Sequence, residues 1–440
     1  MYLADRSKPA VKDSPRRGAR RRVASTVVAL GTVSLLTDIS SESLSAVLPL
    51  YLTVVLGLSP LAYGVVDGIY QGASALVRIL GGWLSDRTDR PKWVAFIGYA
   101  LSAATKLVLI PAHGFAAISA IVSVDRLGKG LRTAPRDALI ATASDEATLG
   151  RSFGIHRALD TVGAAIGPLL AFGILWVVPG DYRSVFVASF AAALVGLVVL
   201  GLLVPDLRPR RDSARAAGQG SDPDAAVSSV SSASPVPAPA PSVPKPSLRL
   251  MLRSPGLRRL VVAAAILGVL TVSDGFLYLS LQQRDSFAAQ YFPLLFVGTN
   301  IAYFSLAVPL GHLSDRVGRP HVLVLGHVLL VAAYLCAAGP AGGLGTTILC
   351  LLFLGAFYAA TDGVLAALTS TLVPTASRAV GIATTQTVVA ISRFASSLLF
   401  GLLWVRVGRA PAVWVFAVTL FVAVPVAWAL VRNLRPAVQA

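Results

Sequence analysis

Long apolar stretches recur along nearly the whole chain, separated by short polar breaks. Each is close to the roughly 20 residues that a helix needs to cross about 30 Å of hydrocarbon. The pattern predicts twelve helices, over 24–55, 60–82, 92–112, 115–141, 150–178, 183–204, 258–282, 288–310, 320–339, 345–373, 378–405 and 411–431. Alternation at period two is absent, which argues against the strands of an outer-membrane barrel. Residues 206–250 differ in character, being rich in Pro, Ala and Ser with flanking arginines. Such a segment cannot bury a core and reads as a disordered linker. The expected organisation is a basic tail (1–23), a six-helix bundle (24–205), the linker (206–250), a second six-helix bundle (251–432) and a short tail (433–440).

Composition sharpens this picture. The 440 residues are 55% hydrophobic and 13% charged, about half the charge of an ordinary soluble domain. The net charge of +17 would suit nucleic acid. However, the basic residues lie in tails and loops, so they read as orientation signals and no nucleic-acid partner is expected. They cluster in the N-terminal tail, in 83–92, in the linker (for example Arg208, Arg210 and Arg211), in 311–320 and after Arg432. The alternate loops near 57–60, 112–114 and 339–345 contain none. These basic clusters then fall on one side, which predicts a multi-pass protein of the cell inner membrane with both termini cytoplasmic. The N-terminal arginines imitate a signal peptide. The apolar run after them is long, contains Asp38 and Glu42, and lacks a small-residue cleavage site, so it reads as an uncleaved first helix. Cys336 and Cys350 both fall in apolar stretches, with no disulfide framework and no metal spacing.

A short motif occurs twice. Gly82-Trp-Leu-Ser-Asp86-Arg87-Thr-Asp89-Arg90 sits between the second and third stretches, and Gly311-His-Leu-Ser-Asp315-Arg316-Val-Gly318-Arg319 between the eighth and ninth. Its repetition half a chain apart implies two homologous bundles. This doubled motif resembles the signature loop of the major facilitator superfamily, over about 24–432. Arg126-Leu-Gly-Lys129-Gly130 resembles that superfamily's fourth-helix motif, with Lys129 where Gln is common. Gly163-Ala-Ala-Ile-Gly167-Pro168 resembles the fifth-helix motif of its proton-exchanging exporters. The chain departs at Asp89, where the loop usually has Gly, and at the glycine pair after Pro168, reduced here to Gly173. The resemblance implies an all-α membrane protein of two pseudo-symmetric six-helix bundles. Substrate would sit between them near the midplane, exposed to each side in turn.

Several residues carry the candidate chemistry. Asp86 can pair with Arg90 or face a helix N-terminus of the other bundle, with Gly82 allowing close packing. Asp315, Arg316 and Arg319, with Gly311, would do the same in the second half, giving a cytoplasmic gate. An ordinary loop salt bridge is the plainer alternative. Charges inside the membrane cost about 2.5–3.5 kcal/mol each on insertion scales and call for a partner or a task. The first half holds Asp38, Glu42, Asp67, Asp125, Asp137 and Asp160 against Arg78, Lys106, Arg126, Lys129, Arg132, Arg136 and Arg157. Asp38 and Glu42 share one helix face. Two carboxylates there could carry a proton, build a static ion-pair network or touch substrate. Arg126 is the expected partner of whichever is ionised. In the fourth stretch, Asp125 is expected to pair with Lys129, while Arg132, Arg136 and Asp137 reach towards the cytoplasmic surface. Gly128-Lys129-Gly130 lacks the upstream Gly and following Ser or Thr of a nucleotide loop.

In the fifth stretch His156 and Asp160 lie one turn apart. They form either a titrating pair or, as favoured here, ordinary contacts at the helix end. Gly163, Gly167 and Pro168 suit a helix at the bundle interface. The second half is poorer in charge. Its candidates are Asp274, for proton or substrate chemistry, and Asn300, Tyr358, Asp362, Gln386 and Arg393 as cavity-lining groups. Together these features predict a secondary transporter with no enzyme activity and no cofactor beyond a coupling proton. The leading expectation is a monomeric, proton-coupled exporter of small organic molecules such as drugs or metabolites. Uptake or exchange of an organic anion is the alternative, and a non-transporting sensor or scaffold the alternative of another class.

Overall fold

The computed structural model describes residues 24–145, 148–208, 254–374 and 378–434. The basic tail, nearly all of the linker and the last residues lie outside them. No strand occurs among the described residues. The first half comprises α1 (Ser25–Leu50, continued by a π-helical turn, Tyr51–Val55), α2 (Pro60–Thr88), α3 (Pro91–Leu109), α4 (Phe115–Thr142), α5 (Leu149–Val177) and α6 (Tyr182–Leu203). The second half comprises α7 (Pro255–Val269), α8 (Asp274–Asp285), α9 (Phe292–Val317), α10 (Arg319–Ala338), α11 (Leu344–Leu372), α12 (Arg378–Val407) and α13 (Arg409–Val431).

The helix starts follow local capping chemistry. Ser59 caps α2 by accepting from the Ala62 amide, with Pro60 at the first helical position. Asp181 caps α6 through the Ser184 amide at 3.1 Å. The Ser184 hydroxyl and amide hold that carboxyl below the usual carboxylate range. Ten spans are long and apolar enough to cross a membrane. Helices α2 and α4 fall outside that set because they carry the embedded charges. Apolar side chains such as Val177, Leu202 and Phe421 are exposed, as expected of an outer surface solvated by lipid tails.

The two halves repeat one packing plan. In the first, α1 packs on α5 and α6, α4 on α2 and α3, and α3 on α6. In the second, α7 packs on α12 and α13, α11 on α9 and α10, and α10 on α13. The same five pairings recur once α7 and α8 are counted as one pass.

One predicted helix is corrected. The seventh stretch breaks at residues 270–273 into α7 and α8. Hydropathy runs smoothly through the break, but the backbone groups it frees find partners. Tyr334 Oη donates to the Leu270 carbonyl (2.9 Å) and accepts from the Val272 amide (2.7 Å). Ser396 Oγ donates to the Thr271 carbonyl (2.8 Å). Non-helical backbone survives at membrane depth only when protein satisfies it in this way.

The halves meet along α2 with α12 and α5 with α9. Gly64, Gly68 and Gly72 form a stripe on α2 facing α12. A Cβ at Gly64 would lie 2.5 Å from the Ser397 carbonyl oxygen, and one at Gly68 3.1 Å from that of Phe394. Tyr291, just before α9, packs against Phe172 and Trp176 near the end of α5. All these contacts lie towards the face opposite residues 24 and 434. The membrane half nearer those residues holds the larger cavity between the halves.

Candidate functional site

Two cavities of more than 200 Å³ lie at the seam. The larger, about 490 Å³, is lined by Arg157 and Thr161 of α5 and by residues of the second half, among them Tyr303, His327, Asp362, Gln386 and Arg393. The smaller, about 220 Å³, brings Glu42, Asp67, Tyr70, Gln71 and Lys129 from the first half to Asp274 and Asn300 from the second. Four charged side chains thus meet near the midplane, three acids and one lysine. Asp274 accepts from Tyr358 Oη at 2.6 Å. The Arg393 guanidinium lies 5.6 Å from the centre of the Tyr358 ring. Asp67 accepts from Ser397 Oγ at 2.5 Å, across the seam.

Asp38 and Glu42 share the expected face of α1 but have different neighbours. Asp38 has Asp160 of α5 as a neighbouring carboxyl, whereas Glu42 lines the smaller cavity. The approach of α1 to α5 is set by the fifth-helix glycines. A Cβ at Gly163 would meet the Leu35 backbone, with its Cα at 2.9 Å. One at Gly167 would lie 2.8 Å from Glu42 Cβ. The two glycines thus pack α5 against α1 inside the first bundle, while α5 also meets α9 of the second half.

The charge pairs also differ from those expected. Asp125 does not pair with Lys129. It accepts from Lys106 Nζ (2.5 Å), Ser102 Oγ (2.5 Å) and Thr105 Oγ1 (3.3 Å), all on α3. Its other oxygen takes Arg126 Nε at 3.0 Å, with a second, shorter contact from the same guanidinium. The face of α4 bearing Asp125 is covered by α3, so tertiary packing overrides the local four-residue spacing. Lys129 is left to the cavity. Arg126 is therefore engaged by Asp125 and stacked 3.8 Å from the centre of the Tyr70 ring, rather than paired with Asp38 or Glu42.

Arg132 does not reach the surface. It is buried, 4.4 Å from the centre of the Tyr99 ring. Arg136 is also largely covered, paired with Asp137 at 2.9 Å and donating to Ser34 Oγ at 3.2 Å. His156 does not pair with Asp160. It is buried, with Nε2 2.9 Å from Ser34 Oγ, while Arg157 reaches Asp160 at 3.4 Å.

Among the described residues, Asp86 and Asp315 of the doubled loop motif make no ion pair across the halves. Asp86 is exposed, and Arg87 lies over Trp83 of its own helix at 5.2 Å. Asp315 pairs with Arg319 at 3.7 Å, and Arg319 donates to the Ala367 carbonyl at 3.0 Å. Arg90 and Arg316 are exposed as well. The close-packing glycine is Gly81, whose Cβ would lie 2.5 Å from the Leu131 carbonyl oxygen, rather than Gly82 at 3.5 Å from Ala134. Nothing lies within 4 Å of a Cβ at Gly311. The departure at Asp89 has a backbone reason. Asp89 has φ 51° and Gly318, its counterpart in the second copy, φ 104°. Both loops turn through a positive φ, and Asp is among the side chains that visit it most readily.

Sequence reasoning did not single out Tyr334 or the Gly64-Gly68-Gly72 stripe. The stripe was visible as small residues at four-residue spacing, and Ser273-Asp274 as a helix-start signal inside an apolar run.

The fold and the paired cavities define a membrane transporter rather than an enzyme, and comparison with known proteins agrees. The Major Facilitator Superfamily profile matches residues 30–298 and 285–440, and the chain belongs to that superfamily. It is 30% identical over 391 residues to an uncharacterized MFS-type transporter of Methanocaldococcus jannaschii, covering 87% of this chain and 89% of the other. An uncharacterized protein of Mycobacterium tuberculosis is 33% identical over 201 residues, covering 45% of this chain and 49% of the other. Among solved structures, the nucleoside transporter NupG superposes with TM-score 0.71 at 15% identity, over 92% of this chain and 98% of that one. The peptide transporter POT in complex with sulfate gives TM-score 0.71 at 17% identity, over 95% and 97%. At these identities the likeness speaks for the fold alone.

Proposed function

We propose that this transporter couples the movement of a small organic molecule to protons, working as an exporter by antiport. The carrying observation is that Asp38 of α1 and Asp160 of α5 are neighbours across the α1–α5 seam that Gly163 and Gly167 draw tight. One proton on the pair keeps it to a single charge, and losing it leaves two like charges side by side. Their repulsion would act on the packing of the motif that resembles those of proton-exchanging exporters. Glu42, Lys129 and Asp274 in the adjoining cavity supply groups through which the proton state can be felt at the substrate.

With the basic loops and both termini on the cytoplasmic side, the cavity faces the cytoplasm and the seam is closed towards the outside. This is an inward-open state, and the disengaged Asp86 and Asp315 fit it. A gate made by the doubled motif would form in the opposite state.

The test is proton movement in inverted vesicles, read with a pH-sensitive dye as a panel of candidate compounds is added. The expected result is compound-dependent proton release that disappears in Asp38→Asn and in Asp160→Asn. A wild type that moves a compound with no proton response rejects the coupling.

A further inference from the structure

We propose that the larger cavity takes a soluble organic anion, with its carboxylate or phosphate head held between Arg393 of α12 and Arg157 of α5. This rests on the transport reading above and names the substrate class of that site.

Arg393 sits on the wall of the larger cavity, and its Nε is buried without a hydrogen-bond partner. It makes no ion pair among the described residues. Asp362 lines the same cavity, and Asp274 is already hydrogen-bonded to Tyr358 at 2.6 Å. Leaving a buried donor of a charged group unmet is costly, and a ligand can remove that cost. The facing cation has the opposite character. Arg157 is 76% exposed and holds Asp160 only at 3.4 Å, so it can swing onto a ligand with little to give up. One arginine comes from each half, so a bound anion would bridge them. Guanidinium groups suit carboxylate and phosphate because they can donate two parallel hydrogen bonds.

The remaining wall fits an organic body. Leu267, Leu323, Phe357 and Val389 are apolar, and about 490 Å³ lies within the range of small-molecule sites. The acids are segregated. Glu42, Asp67 and Asp274 line the smaller cavity, whereas Asp362 is the one acid lining the larger. A cation would be drawn to the smaller cavity and an anion to the larger.

The experiment reads the potential of the larger cavity directly. In a Cys336→Ala, Cys350→Ala background, Val389→Cys is labelled in phosphatidylcholine nanodiscs by sulfonatoethyl or trimethylammonioethyl methanethiosulfonate. The anionic reagent is expected to react several-fold faster, relative to a cysteine placed on an exposed loop. This preference should collapse in Arg393→Gln, weaken in Arg157→Gln and persist in Arg393→Lys. Benzoate and inorganic phosphate should slow labelling, and phosphatidylglycerol in the disc should not. A cationic preference, an unchanged ratio in both glutamine variants, or protection by phosphatidylglycerol alone overturns the proposal. If Arg393→Gln fails to fold, Arg157→Gln and Arg393→Lys carry the test. None of these readings needs proton flux, so a chain that moves no protons can still show the anion preference.

Discussion

Asp67 of α2 and Ser397 of α12 are joined by a 2.5 Å hydrogen bond across the seam between the two halves. Both residues are buried. The bond exists only while the face opposite the chain ends is closed, so it contributes to one state of the transport cycle and not to the other. Ser397→Ala should favour opening of that face. A hydrogen bond of this kind is worth about 1 kcal/mol, roughly a fivefold change in population. Spin labels at the exposed Val55 and Val407 would report it as a larger share of long distances in the variant.

The glycine stripe on α2 makes a second, steric contribution to the same closure. A side chain at Gly64 would strike the Ser397 backbone, which cannot move aside as a flexible side chain can. Gly64→Val should therefore fold, hold the far face open and abolish turnover. Overpacking of this sort costs about 1–3 kcal/mol. The same spin-label pair tests it, and a distance distribution matching the wild type would refute it.

Lys106 is 1% exposed and bonds Asp125 at 2.5 Å. Removing Lys106 leaves the buried Asp125 with Arg126 as its remaining ion partner. Lys106→Met should lower stability by about 3 kcal/mol, read as an earlier thermal transition in detergent. Adding Asp125→Asn to that variant should lower stability further, because the buried Arg126 then loses its carboxylate partner.

Asp89 holds a left-handed turn that glycine adopts freely. Asp89→Val should be less stable than Asp89→Gly by about 1–2 kcal/mol, read as the difference between their thermal transitions, because both lose the Asp side chain and only Val strains the positive φ. Equal effects from the two substitutions would remove the backbone explanation.

The sequence made the passes legible and left their partnerships hidden. Helix spans follow from hydropathy, which is a local property. The break before Asp274 escaped because Thr271 and Val272 are apolar enough to pass, while the groups that permit the break, Tyr334 and Ser396, lie far along the chain. The pairing of Asp125 was misread for a related reason. Lys129 is near in sequence, but α3 covers the face of α4 that bears Asp125. Asp38 and Glu42 were legible as a face of α1. That Asp160 would stand opposite Asp38 depended on how closely two glycines let α5 approach.

The ion pair between α3 and α4 also constrains how the protein is made. Alone, α4 would carry Asp125, Arg126, Lys129, Arg132 and Arg136 into the bilayer, and each such charge resists insertion. Docked on α3, it has Asp125 neutralised by Lys106 and Arg126 and has Arg132 sheltered against Tyr99. These helices are best delivered to the membrane as a hairpin, with α4 waiting at the translocon for α3 to remain beside it. The order of synthesis provides this, since α3 emerges first and a loop of only a few residues tethers the two.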